Sequence, residues 1–192
     1  MRRLTSLLLL LAAPATFVTP ALAQPQSPEA LQARQREAMA AFAWMEGVWR
    51  GPAWAITPEG RHDLIQTERV GPFLNGSIRM VEGRGYRAEG NVGFNALGVI
   101  SFDVASNRHM MTTWAMGRGG TFEIRPTADG YSWETPAGPG AIVRYTATFR
   151  DGVFREVGHR IAGSAPPVQI FEMNLRRVGD TAWPAGDAVP MR

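Results

Sequence analysis

From Gly47 onward the sequence is a succession of short alternating segments, each closed by a turn signal, and no second helical period follows. Such a chain can pair its strands antiparallel through tight hairpins. It cannot build a parallel sheet, in which every step needs a crossover connection, usually a helix. Ten strands are expected, near Val48 to Ile56, His62 to Val70, Ser77 to Glu82, Val92 to Asp103, Arg108 to Met116, Thr121 to Pro126, Tyr131 to Thr135, Ala141 to Arg150, Val153 to Ile161 and Val168 to Val178. The connecting stretches carry glycine, asparagine or proline, and Asn75-Gly76 and Asp151-Gly152 are the strongest hairpin signals because a type I′ turn needs positive φ at both central residues. Many strands joined in sequence by short turns predict an all-β fold, an up-and-down antiparallel barrel of about ten strands.

The segment before Gly47 differs. Residues 1–23 read as a secretory signal peptide, with Arg2 and Arg3, an apolar run from Leu7 to Ala13 and a small-x-small site ending at Ala23, so a periplasmic or secreted protein is expected. That run is too short to span a bilayer, and no stable membrane insertion is expected. Residues 24–43 form a lead and one short N-terminal helix, from about Pro28 to Phe42, capped by Ser27 and opened by Pro28. Leu31 and Phe42 are expected to cover something apolar. Residues 44–178 are the barrel domain, and residues 179–192 an irregular C-terminal tail. "GRGYRAEG", Gly83 to Gly90, reads as a loop at the barrel mouth.

The chain has no cysteine, which excludes disulfides, thiolate metal sites and catalytic thiols, so the core alone must hold the fold. All of its 20 basic residues are arginine, which explains a high isoelectric point despite a formal net charge of only +3. They are scattered, with no basic run longer than a pair. Nucleic acid is therefore not an expected partner.

"GVWRG", Gly47 to Gly51, follows the helix and opens the first strand. It resembles the Gly-x-Trp start of the calycin group, which includes lipocalins, fatty-acid-binding proteins and nitrobindin-like barrels. The fuller pattern is similar to the DUF1579 family of bacterial proteins: "GVWRG", then "QTERVGPFLNGS" with Glu68, Leu74, Asn75 and Gly76, then "LGVISFDVASNRHMMTTW" with Gly98, Ile100, Phe102, Asp103 and Asn107. His109 stands where that pattern has an aromatic residue. The resemblance spans about Trp44 to Val178 and implies a calycin-like barrel in which the tryptophan closes the floor. It implies a fold more than an activity.

Strand alternation names the candidate cavity residues. Trp49, Gly51, Ala53 and Ala55 share a face of the first strand; His109, Met111, Thr113 and Ala115 share a face of the fifth. On the ninth, Val157, His159 and Ile161 oppose Glu156 and Arg160; on the tenth, Phe171, Met173 and Leu175 oppose Glu172, Asn174 and Arg176. The apolar sets are expected to face inward together, leaving the polar sets as an outer ion-pair ladder. Were the polar sets inward, Glu156 and Arg160 could orient a carboxylate ligand.

The ligand-binding candidates are therefore Trp49, Ala53, His109, Met111, Thr113, His159 and Phe171. His62, His109 and His159 lie on three strands with none of the spacings that give two metal ligands from one element, so no metal is expected. The nitrobindin-like resemblance implies a haem-ligating histidine on the last strand, and "VQIFEMNLRRV" has none. No catalytic residues are assigned and no Gly-x-Ser-x-Gly occurs. The expected role is binding a small apolar or amphipathic molecule as a monomer or weak dimer, without a cofactor. A cavity-based enzyme or haem protein using His109 or His159, and a fully packed interaction module, are the alternatives.

Overall fold

The computed structural model describes residues 27–181. The secretory segment and most of the tail lie outside them. Helix α1 spans Pro28–Met39, with the Ser27 hydroxyl accepting from the Ala30 N–H. A 3-10 segment, Ala40–Met45, continues it where one α-helix to Phe42 was expected. The tighter winding has a reason in packing. At three residues per turn, positions three apart eclipse one another, so Met39, Phe42 and Met45 fall in one line. All three are at most 1% exposed.

Ten strands follow: β1 Gly47–Thr57, β2 Gly60–Phe73, β3 Ile78–Tyr86, β4 Val92–Asp103, β5 Arg108–Ala115, β6 Arg118–Thr127, β7 Gly130–Pro136, β8 Ala141–Arg150, β9 Val153–Ala162 and β10 Val168–Gly179. Each pairs antiparallel with its sequence neighbours, and β1 pairs with β10 to close the barrel. Ala53 faces Met173 across that seam. Closure leaves no free sheet edge. No helix among the described residues is long and apolar enough to cross a membrane.

The two strongest hairpin signals turn out differently. Asp151 and Gly152 take positive φ, 52° and 73°, between the paired Arg150 and Val153, as a type I′ hairpin requires. Around Asn75-Gly76, positive φ extends to three residues, Leu74 to Gly76, in a short 3-10 turn. "GRGYRAEG" is not all loop. Its Gly83 to Tyr86 half belongs to β3, where Gly83 pairs with Glu68 and Gly85 with Gln66.

The helical segment, residues 28–45, inserts Met39, Phe42 and Met45 into the barrel core as a plug, which meets β1 at the floor. The Trp49 indole, 1% exposed, donates its N–H to the Met45 carbonyl at 2.7 Å and meets Phe149 and Phe154 edge-on at 5.8 and 5.7 Å. Trp44 stacks on Phe149 at 5.5 Å and on Tyr131 at 6.1 Å. Arg79, buried on β3, sets its Nε 2.8 Å from Glu46 Oε1 and its Nη1 2.9 Å from the Gly76 carbonyl, clasping the plug's end to the wall. The glycines of "GVWRG" serve the same junction. Gly47 has φ +138°, and a Cβ on Gly51 would stand 2.0 Å from the Asn174 carbonyl oxygen.

Trp49→Ala removes a buried indole with a hydrogen bond and should destabilise the barrel by about 3–5 kcal/mol in chemical denaturation. A change within about 0.5 kcal/mol, usual at exposed positions, would contradict this packing.

Candidate functional site

The inner wall is read from alternation and burial together. Inward positions are Trp49, Gly51, Ala53 and Ala55 on β1, Leu64, Gln66, Glu68 and Val70 on β2, and Gly83 and Gly85 on β3. Around the rest of the barrel they include Ile100, Met111, Thr113, Phe122, Ile124, Tyr131, Trp133, Tyr145, Ala147, Phe154, Glu156, Phe171 and Met173. Depth divides them. Near the plug, Ile100, Ile124, Ala147, Phe154 and Leu175 are at most 1% exposed and form a dry floor. Toward the opposite end, Leu64, Phe94, Thr113, Phe122, Trp133, Tyr145 and Phe171 are all only partly buried. Burial therefore falls from the plugged end toward the other mouth.

The open half has two unlike walls. On β1, β3 and β4 the inward residues include Ala53, Ala55, Gly83, Gly85 and Ala96. Across from them stand aromatic rings that lie back over glycines. A Cβ on Gly158 would come within 3.0 Å of Tyr145 and 3.1 Å of Phe171, and one on Gly120 within 2.5 Å of Phe122. Trp133 and Tyr145 stack at 4.6 Å, and Trp133 meets Phe122 at 5.8 Å.

Between floor and mouth sit two carboxyl groups. Glu68 Oε1 accepts from Gln66 Nε2 at 2.7 Å; its Oε2 has no partner and is shut from solvent. The missing Cβ of Gly83 makes room for this carboxyl, since a Cβ there would lie 2.8 Å from Oε1. Glu156 Oε2 accepts from the Tyr131 hydroxyl and its Oε1 from the Trp133 indole N–H, each at 2.9 Å. Burial pushes Glu68 up to about 8; the Gln66 bond opposes this, and the nearby Glu156 and Glu82 charges add to it. Burial also raises Glu156, against its two donors. Burial, then Glu156, pushes the Tyr145 phenol up to about 12.

The candidates from the sequence divide accordingly. Trp49 belongs to the floor. Ala53, Met111, Thr113 and Phe171 face inward, the first two buried. His109 is spent on the plug: its Nε2 donates to the Ala38 carbonyl at 3.0 Å, and its ring meets Phe42 at 5.2 Å. His62 bonds Thr57 at the mouth. His159 lies on the outer face, opposite Arg144 and Gln169. Among the described residues no three His, Cys, Asp or Glu side chains gather as a metal site.

The two-faced reading of β9 and β10 needs correction. Glu156 pairs with Met173 and Glu172 with Val157, so the acidic face of β9 adjoins the apolar face of β10. Val157 and His159 thus face outward and Glu156 inward. The reason is the Asp151-Gly152 hairpin, which sets Phe149 against Phe154 and Ala147 against Glu156. Half of the outer ladder remains, with Arg155, Gln169 and Asn174 all donating to Glu172 at 2.8–3.1 Å.

Sequence reasoning missed Gln66, Trp133 and Tyr145 as lining, placed Glu156 inward only in the less favoured alternative, and marked Glu68 only as part of a motif. The hairpin count from Asp151-Gly152 could have placed Glu156. A surface concavity of about 670 Å³ lies mostly on the outer wall among Met80, Leu97, Trp114 and Met116 and contains no buried polar group. Compared with known proteins, the chain matches no family model and no curated protein.

The raised carboxyls fix a pH dependence. A folded-state value near 8 for Glu68, against an ordinary 4.5, means the folded protein keeps a proton that the unfolded chain loses between these values. Between pH 5 and pH 8 stability should therefore be greatest at the acid end and fall toward pH 8, as the unfolded chain ionises while the folded protein keeps its proton. Melting temperatures across pH 5 to 8 test this. Glu68→Gln should flatten the decline and melt higher than the parent at pH 8; a parent profile that rises with pH would contradict the assignment.

Proposed function

We propose that the protein binds a small, mainly apolar molecule in the open half of its barrel, as a non-catalytic, calycin-like carrier. The observation that carries this reading is the gradient of burial along the inner wall, from a dry plugged floor to aromatic side chains still reached by solvent from the mouth. A fully packed barrel would bury those rings as deeply as Ile100 and Ile124. These rings are already partly buried, so a ligand gains from each only the area still exposed, at roughly 25 cal/mol per Å², and several rings must act together. The opening residues 1–23, with their secretory pattern, support export of this carrier, and the motifs around Trp49 and Glu68 support kinship with the DUF1579 barrels. His109, engaged with Ala38, and His159, on the outer wall, are poorly placed for haem ligation in the open lumen.

Nile red, a neutral environment-sensitive dye, should bind saturably with enhanced fluorescence. Phe171→Ala should weaken it at least about fivefold, whereas Trp114→Ala on the outer wall should leave it unchanged. Replacing His62, His109 and His159 together in a variant verified to be folded should also preserve binding. No saturable uptake, or a loss caused by Trp114→Ala and not by Phe171→Ala, would overturn the assignment to the lumen.

A further inference from the structure

A carrier of fatty acids must offer a cation to the ligand's carboxylate, and this lumen offers the reverse. Two carboxyl groups face inward at the base of its open half, each about nine-tenths buried. No basic side chain is among the charges acting on Glu68 or Glu156. The buried guanidinium, Arg79, is held at the plug by Glu46 and the Gly76 carbonyl. A buried charge without a partner is costly, so these groups either keep a proton or meet a cation from elsewhere.

A second observation points the same way. Glu68 Oε2 has no hydrogen-bond partner although solvent does not reach it. Buried polar atoms are rarely left so, and a partner is expected from outside the chain. Glu156, by contrast, already has a donor on each oxygen, and one of them, the Trp133 indole, belongs to the aromatic wall of the cup. An acidic base beneath a wall of indole, phenol and phenyl rings suits a positively charged head with a hydrocarbon body. The ring faces attract cations, and their area accepts hydrocarbon.

Resting on the reading of the lumen as a ligand cup, we propose that its ligand is a lipophilic amine, whose ammonium lies between Glu68 and Glu156 and whose hydrocarbon packs on Phe122, Trp133, Tyr145 and Phe171. Glu68 supplies the unpartnered oxygen, and Glu156 the second negative charge. The pair offers a carboxylate no cation to meet, so the cup selects against fatty acids as well as for amines. Binding an ammonium at pH 7 favours ionised Glu68 and therefore releases a proton to the buffer.

Octylamine, octanol and octanoate share one hydrocarbon and differ in head group, and titration calorimetry of the full chain at pH 7 ranks them. Octylamine should bind at least about tenfold tighter than octanol, with octanoate weakest. Its heat should vary with the ionisation enthalpy of the buffer in the direction of proton release, while that of octanol should not. Glu68→Gln should lower the amine affinity toward that of octanol, abolish proton release and leave octanol binding intact, which also shows that the variant is folded. Octanol or octanoate binding as tightly as octylamine, or Glu68→Gln leaving the amine's advantage intact, overturns the amine assignment while the cup stands. Failure of all three to bind overturns both the cup and the amine.

Discussion

The hydrogen bond from the Trp49 indole to the Met45 carbonyl, set inside a ring of Phe149, Phe154 and Trp44, joins the helical plug to the first strand of the barrel. Everything about the lumen depends on this junction. It stops one end of the closed cylinder, and the inner wall is fully buried at that end and only partly buried toward the other. The Gly-x-Trp-x-Gly motif belongs to that junction, with Gly47 supplying an unusual φ and Gly51 the close approach to β10.

Above the floor, geometry and electrostatics combine. Closure of β1 on β10 leaves no sheet edge, so the lumen is where inward polar groups meet. Glu68 and Glu156 are held there by Gln66, Tyr131 and Trp133, and burial keeps their proton affinity high. An isolated core would gain nothing from two such groups, because apolar residues of the same shape pack at lower cost. The proposed recognition of a ligand rests on their position beneath a wall of half-buried rings.

Much of the architecture was legible in the sequence because turn chemistry and two-residue alternation are local signals. All ten strands fall where the segments between glycine, asparagine and proline turns place them, and the Trp49 and Met111 faces point inward as alternation implies. What was hidden is phase and depth. Whether Glu156 or Val157 faces the lumen depends on pairing across the Asp151-Gly152 hairpin, and the apolar look of Val157 and Ile161 pointed the wrong way. His109 looked like a cavity residue, and only the path of the plug shows it bonded to Ala38. The acid pair joins β2 and β9, seven strands apart in chain order, a proximity that no local pattern records.

The account is tested most directly by the indole N–H resonances in a nitrogen–proton correlation spectrum during titration with octanol. Trp133 lines the open cup and donates to Glu156, Trp49 is sealed in the floor, and Trp114 stands on the outer wall. The Trp133 signal should shift progressively to saturation while those of Trp49 and Trp114 hold still. A shift of Trp114 with Trp133 unmoved would place the ligand on the outside of the barrel and contradict the account.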